Sequence, residues 1–258
     1  MNLLIFKHYF KRALSNLLDM ALVLGIPLGF IILQGTIADG LTIEALQLGG
    51  YNIGASINGI NMILGFQFFG TWLVFQFLFQ DFKSDMRFRL GASPWNITKF
   101  VAPAVIAGWI YSVVMGIIVI IISSLIFPMY WGNLLIFASV FLLTSIIGSL
   151  ICILLFFFAP NLSTASTLHY VICFGFMGLS MLWFNIPFEE GLFYTIAANS
   201  NPLTIGTRAI LHGWSFADVL GLGLKYDMGQ SIISIITLVG ISFVLAVVAV
   251  FAGRRRAF

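Results

Sequence analysis

Apolar residues gather into six long stretches of this chain, at approximately 17–37, 58–80, 101–127, 132–158, 166–186 and 229–252. A helix of about 20 residues crosses a hydrocarbon core of about 30 Å, and each stretch reaches that length. Backbone polar groups in lipid must bond within their own segment, which predicts helices. The strict alternation of a membrane barrel is absent, and no internal repeat is visible. The fold class is therefore an all-α polytopic membrane protein, read as a single domain over residues 1–258.

The segments between the stretches carry patterns of their own. Residues 1–16 place Leu3, Phe6, Phe10 and Leu14 at helical spacing beside Lys7, Lys11 and Arg12. That pattern predicts an N-terminal interfacial helix. The first apolar run is too long for a signal peptide and no convincing cleavage site follows it, so it reads as an uncleaved span. Pro27 and Pro103 fall inside the first and third spans, where a proline can kink a helix.

After the second span, residues 81–95 concentrate charge in Asp81, Lys83, Asp85, Arg87 and Arg89. As a helix, this segment lines up Phe82, Met86 and Leu90 on one face, and Asp85 precedes Arg89 by a favourable four residues. Gly91 then ends it, and Ser93-Pro94 opens the next element as cap and first helical residue. A charged helical protrusion suits docking into a soluble partner, and a solvated loop on anionic headgroups is the competing reading.

The long segment 187–228 holds two apolar stretches, "FEEGLFYTIAAN" and "PLTIGTRAILHG", each too short to span. Asn201-Pro202 separates them as a turn with a proline start. A re-entrant outer hairpin before the sixth span is the expectation, against an ordered loop packed on the bundle.

Composition reinforces the membrane reading. The chain is 60% hydrophobic and only 8% charged, far below the roughly 25% of a soluble domain. Of its twelve basic residues, ten precede the first span or follow the second and sixth, which leaves only Arg208 and Lys225 for the other side. The positive-inside rule then puts both termini in the cytoplasm. Basic residues segregated by loop in this way do not form a nucleic-acid patch.

Enzymatic chemistry is not visible. The chain has no GxxxxGK[ST] loop, no HExxH and no GxSxG, so no catalytic, cofactor-binding or metal-binding residue is expected. His8, His169 and His212 are scattered over both sides of the membrane, while Arg208 and His212, four apart, read as a polar helix face. Cys152 and Cys173 lie inside apolar runs without CxxC spacing and read as small packing residues. No span is expected to bury an Asp, Glu, Lys or Arg, which disfavours an ion-coupled pump.

Uncharged polar residues remain. Asn58, Asn61, Gln67, Thr71, Gln76 and Gln80 run along the second span. They suit interhelical hydrogen bonds or, for Asn58, Asn61, Gln67 and Thr71, a weakly polar lining for an amphipathic cargo. The aromatic residues of the same helix, among them Phe66, Phe69 and Trp72, read as packing or lipid-facing groups.

Two strings carry a resemblance. "DFKSDMRFRLGASPWNITKFVAPAV" is similar to the acidic–basic–Arg-Leu-x-x-x-Pro stretch of type-2 ATP-binding-cassette exporter permeases. "NPLTIGTRAILHG" is similar to that family's Asn-Pro…Arg-Ala-x-Leu-x-Gly stretch, and the order of parts resembles the family over nearly the whole chain. Asp81 stands where the family often has Glu, and Ser84-Asp85 replaces its Gly-Thr pair.

The resemblance implies six spans, a cytoplasmic coupling helix after the second, and the re-entrant hairpin. It implies that separate ATP-binding-cassette ATPase subunits, holding the ATP and magnesium, dock on Asp81, Lys83, Asp85, Arg87, Arg89, Leu90 and Pro94. Asn201, Pro202 and Arg208 would belong to an outer gate. A second permease copy or a paralogue would complete the path through a plasma membrane of bacterial type. The implied function is export of a lipophilic or amphipathic compound such as a drug, an antimicrobial peptide or a lipid-like molecule. A non-transporting immunity or sensor component and a secondary transporter are the alternatives.

Overall fold

The computed structural model describes residues 3–40, 47–48, 50–83, 97–180, 199–214 and 226–256. Its elements are α1 (Leu3–Ser15), α2 (Leu17–Gly40), a two-stranded hairpin of β1 (Gln47–Leu48) and β2 (Tyr51–Asn52), α3 (Ile53–Lys83), α4 (Ile97–Ile126), α5 (Leu134–Phe158), α6 (Leu162–Leu179), α7 (Pro202–His212) and α8 (Met228–Arg256). Six of these, α2 to α6 and α8, are long and apolar enough to cross a membrane. The chain is thus a helical, multi-pass membrane protein, as its apolar pattern predicts.

The predicted spans overlap these helices with end shifts of up to about five residues, except that residues 181–186 of the fifth predicted span lie outside the described residues. Sequence-specific caps set several boundaries. Asn133 accepts from the amides of Leu135 and Ile136 at the start of α5, and Asn161 accepts from Thr164 at the start of α6. Pro27 lies within α2 and Pro103 within α4, and both helices continue through them. The β-hairpin was not anticipated, since a strand pair this short leaves no periodic signal. Gly50, at φ +83°, makes its turn.

The helices do not share the burial equally. In α3, 83% of the apolar window is buried, against 17% in α2 and 22% in each of α6 and α8. All the other described helices except α8 pack extensively against α3, and α8 reaches the bundle through α5 and α7. The aromatic residues Phe66, Phe68, Trp72, Phe75, Phe77 and Phe79 of α3 are buried and Phe69 is half-buried, so most of them are core residues.

Close approach requires small residues at the crossings. An added Cβ at Gly148 would lie 3.0 Å from the Phe68 backbone, and one at Gly70 would lie 3.0 Å from the Ser112 backbone. Glycine therefore lets α5 and α4 pack directly against the α3 main chain.

At one edge, α1 meets the end of α3, where Phe79 and Phe82 pack on Phe156 of α5. Phe157 faces Gly253 of α8 at the same edge. At the opposite edge, Asn52 donates its backbone N–H to Pro128 and its side-chain amide to Gly35, while its side-chain oxygen caps Ala55. Tyr130 packs edge-on to Trp214 there, and Gly132, at φ +69°, lies against the Trp214 ring.

Because Gly148 faces backbone, Gly148→Leu should destabilise the bundle by about 1–3 kcal/mol through overpacking. Gly175 of α6 has nothing within 4 Å of an added Cβ, so Gly175→Leu should leave the melting temperature of detergent-purified protein within error of wild type. Equal melting of the two variants would refute the close α3–α5 crossing.

Candidate functional site: a charged clamp and a polar spine

α3 is 31 residues long, about 46 Å at 1.5 Å per residue, and so exceeds the hydrocarbon thickness. Its last turns carry Gln80 and Asp81, and the amphipathic pattern of α1 delivers Tyr9 and Arg12 to them. Arg12 donates to both Asp81 oxygens, at 2.9 and 3.2 Å, and to Gln80 Oε1 at 3.2 Å. Tyr9 donates its hydroxyl to Asp81 at 2.8 Å. The guanidinium also lies 4.4 Å from the Phe77 ring centroid, which adds a cation–π contact.

Tyr9 is buried in this clamp. Burial first, and then the negative charge of Asp81, pushes its phenol well above the usual tyrosine range. The Arg12–Asp81 pair is only partly buried, at 34% and 16% exposure, so solvent screens its attraction.

A second finding runs through the spine of α3. Asn61 accepts from Thr207 of α7 at 3.1 Å, Gln67 accepts from Ser112 of α4 at 2.8 Å, and Thr71 pairs with Ser149 of α5 at 3.4 Å. Gln76 then donates to Asp19 of α2 at 2.7 Å. The polar residues of the second span thus address a different neighbour at nearly every step. Asn61, Gln67 and Thr71, candidates for a cargo lining, are buried and bonded within one chain. Asn58 is half-buried.

Among the described residues no Asp, Glu, Lys or Arg is fully buried, and Asp19 comes near that limit in the first turn of α2. It lies inside α2, half-buried, and its carboxylate accepts from Asn16 and Gln76. Asp81 likewise belongs to the continuous helix α3 and not to a separate coupling helix. Lys83 is the last residue of α3, and Asp85, Arg87, Arg89, Leu90 and Pro94 lie outside the described residues, as does the helix–turn–helix predicted there.

On the opposite side of the bundle, Asn201 caps α7 by accepting from Leu203, and Pro202 takes the first helical turn as predicted. Asn201 also donates to the Phe176 carbonyl at 2.7 Å. Most of α7 is buried, with Arg208 on its half-buried flank. The other predicted arm of the hairpin, "FEEGLFYTIAAN", lies outside the described residues but for its last residue, Asn199.

Cys152 and Cys173 do more than fill space. Both thiols contact the buried His169 ring, at 3.9 Å from Nδ1 and 3.4 Å from Nε2 respectively, and the ring stacks on Trp72 at 4.7 Å. The four-residue spacing of His169 and Cys173 was a visible signal for half of this cluster. Among the described residues, no group of three His, Cys, Asp or Glu is placed to hold a metal ion.

These features define a helical membrane protein with a clamped N-terminal helix and a polar, buried second span. No family model matches the chain, and neither a curated protein nor a solved structure matches it.

Two outcomes test the clamp. Arg12→Glu should loosen α1, raising its protease sensitivity in the purified protein, and Arg12→Glu with Asp81→Arg should recover much of the loss. No recovery in the swap would show that the pair does not hold α1. The second outcome concerns pH. The folded-state pKa of Tyr9 is raised, so its contribution is intact below the unfolded value of about 10 and is lost as pH rises beyond it. Tyr9→Phe should therefore flatten the decline of thermal stability above that pH, and an unchanged decline would contradict the assignment.

Proposed function

We propose that the chain is the membrane-spanning permease subunit of an ATP-driven exporter of the type-2 ATP-binding-cassette kind. Its cargo is a lipophilic or amphipathic compound, and separate cytoplasmic subunits hydrolyse the ATP. In this reading α1 is interfacial, both termini are cytoplasmic, and α7 is the returning arm of an outer re-entrant hairpin. The path forms between two copies, or between this chain and a paralogue.

One observation carries the reading. α3 runs without a break from its buried, polar-bonded middle to Lys83, and so includes the first three residues of the charged segment 81–95. A push on that segment would reach α2, α4, α5 and α7 through the side-chain bonds of a single rigid helix. The clamp of Arg12 and Tyr9 on Asp81 would tie α1 to the same movement. The ten-to-two split of basic residues supports the cytoplasmic placement of this edge.

The test is reversal of Arg87 and Arg89 to Glu. At matched membrane expression and verified topology, the double variant should lose ATPase copurification or cargo export. Desolvated interfacial charge pairs are worth a few kcal/mol, which makes the loss readable. Normal copurification and normal export together would leave 81–95 a solvated connector and remove the case for an ATPase partner.

A further inference from the structure

The roll of α1 about its own axis is fixed by its contacts. Tyr9 and Ala13 are buried against the bundle, Tyr9 and Arg12 bond Asp81, and Phe10 meets Tyr111 edge-on at 6.4 Å. At about 100° per residue, Lys7 and Lys11 stand opposite Tyr9, separated by about 6 Å along the axis. Both are exposed. The clamp thus engages Arg12 and turns the two lysines of α1 outward.

The face they occupy mixes positive charge with apolar surface. α1 contains no acidic residue. Leu3 and Leu14 border the lysines on one side and Leu4 on the other, with His8 and Ser15 completing the exposed face. Leu4 is 78% exposed, and Leu18 at the start of α2 is 72% exposed. Large apolar side chains so open to solvent need an apolar cover. Only Asn16 separates α1 from the span α2, which keeps this face at the level of the bilayer surface. Leucines that enter the acyl boundary, beside lysines that snorkel to the headgroups, are the make-up of a helix lying on anionic lipid.

We propose that Lys7 and Lys11 bind the phosphates of anionic glycerophospholipids, so that the outer face of α1 selects anionic over zwitterionic lipid. This deepens the interfacial placement of α1 and rests on it, and it involves neither an ATPase nor a cargo. Tyr9 and Arg12 are positioning residues here: they hold the lysines outward without touching lipid. Each basic residue close to an anionic surface favours binding by about five-fold, and salt screens the attraction.

The experiment places a fluorophore at Leu14→Cys in the full chain, beside Lys11. Cys152 and Cys173 are both buried, so the introduced thiol takes the label. The protein is reconstituted in dioleoylphosphatidylcholine vesicles that contain nitroxide-labelled phosphatidylglycerol or nitroxide-labelled phosphatidylcholine, and quenching is followed against the labelled fraction. Relative to phosphatidylcholine, the label should favour phosphatidylglycerol by about five-fold or more at low salt. Lys7→Gln with Lys11→Gln should abolish that preference, and Lys7→Arg with Lys11→Arg should keep it. Equal quenching by the two lipids, or a preference unchanged in the glutamine variant, would overturn the anionic site while leaving α1 interfacial. No quenching by either lipid would overturn both. Should the glutamine variant fail to reconstitute, molar sodium chloride added to the labelled protein with both lysines intact gives the answer. It should erase most of the preference, and a preference indifferent to salt would overturn the proposal.

Discussion

The bundle depends on one constraint: the most buried helix is also one of the most polar. Asn61, Gln67, Thr71 and Gln76 of α3 cannot be left unpaired in an apolar interior, because each bare amide or hydroxyl there costs free energy of order a few kcal/mol. Each is satisfied by a residue on a different helix, at Thr207, Ser112, Ser149 and Asp19. Individual interhelical bonds in membranes contribute only about 1 kcal/mol or less. Their larger effect is on specificity, since rotating or sliding α3 would strand several of them together.

Glycine placement serves the same constraint. Thr71 reaches Ser149 because Gly148, one residue earlier on α5, sits on the Phe68 backbone. Ser112 reaches Gln67 because Gly70 lies against Ser112. Small residues and polar pairs are therefore neighbours in space: the glycines set the interhelical distance and the polar groups use it. The spans of low burial, α2, α6 and α8, present Leu, Ile, Val and Phe outward and lack this dense pairing with α3, with Asp19 the exception.

At its end, α3 changes solvent while remaining a helix. Within a few residues it passes from Phe75 in the core, through Gln76 on Asp19, to Asp81 on Tyr9 and Arg12. α1 is held by a charged hydrogen bond and by the Phe10–Tyr111 contact, so its position reports on α3 and α4 at once. This arrangement brings Asp19 of α2, the charge-paired Asp81 and the start of a basic segment to the same end of α3.

Much of the architecture was legible in the sequence, because crossing a membrane demands about 20 apolar residues and leaves an unmistakable run. The spans, the amphipathic character of α1, the Asn201-Pro202 helix start and the asymmetry of basic residues all follow from local pattern. Facing and partnership do not. Nothing local distinguishes a glutamine that lines a path from one that bonds Ser112, and nothing near Asp81 in the chain announces its bond to Arg12, 69 residues away. Asp19 was hidden inside a hydropathy window that averages one acid away among leucines. Which polar group meets which is decided by the packing of six helices around α3, because hydrogen-bond partners far apart in the chain are chosen by geometry and not by sequence spacing.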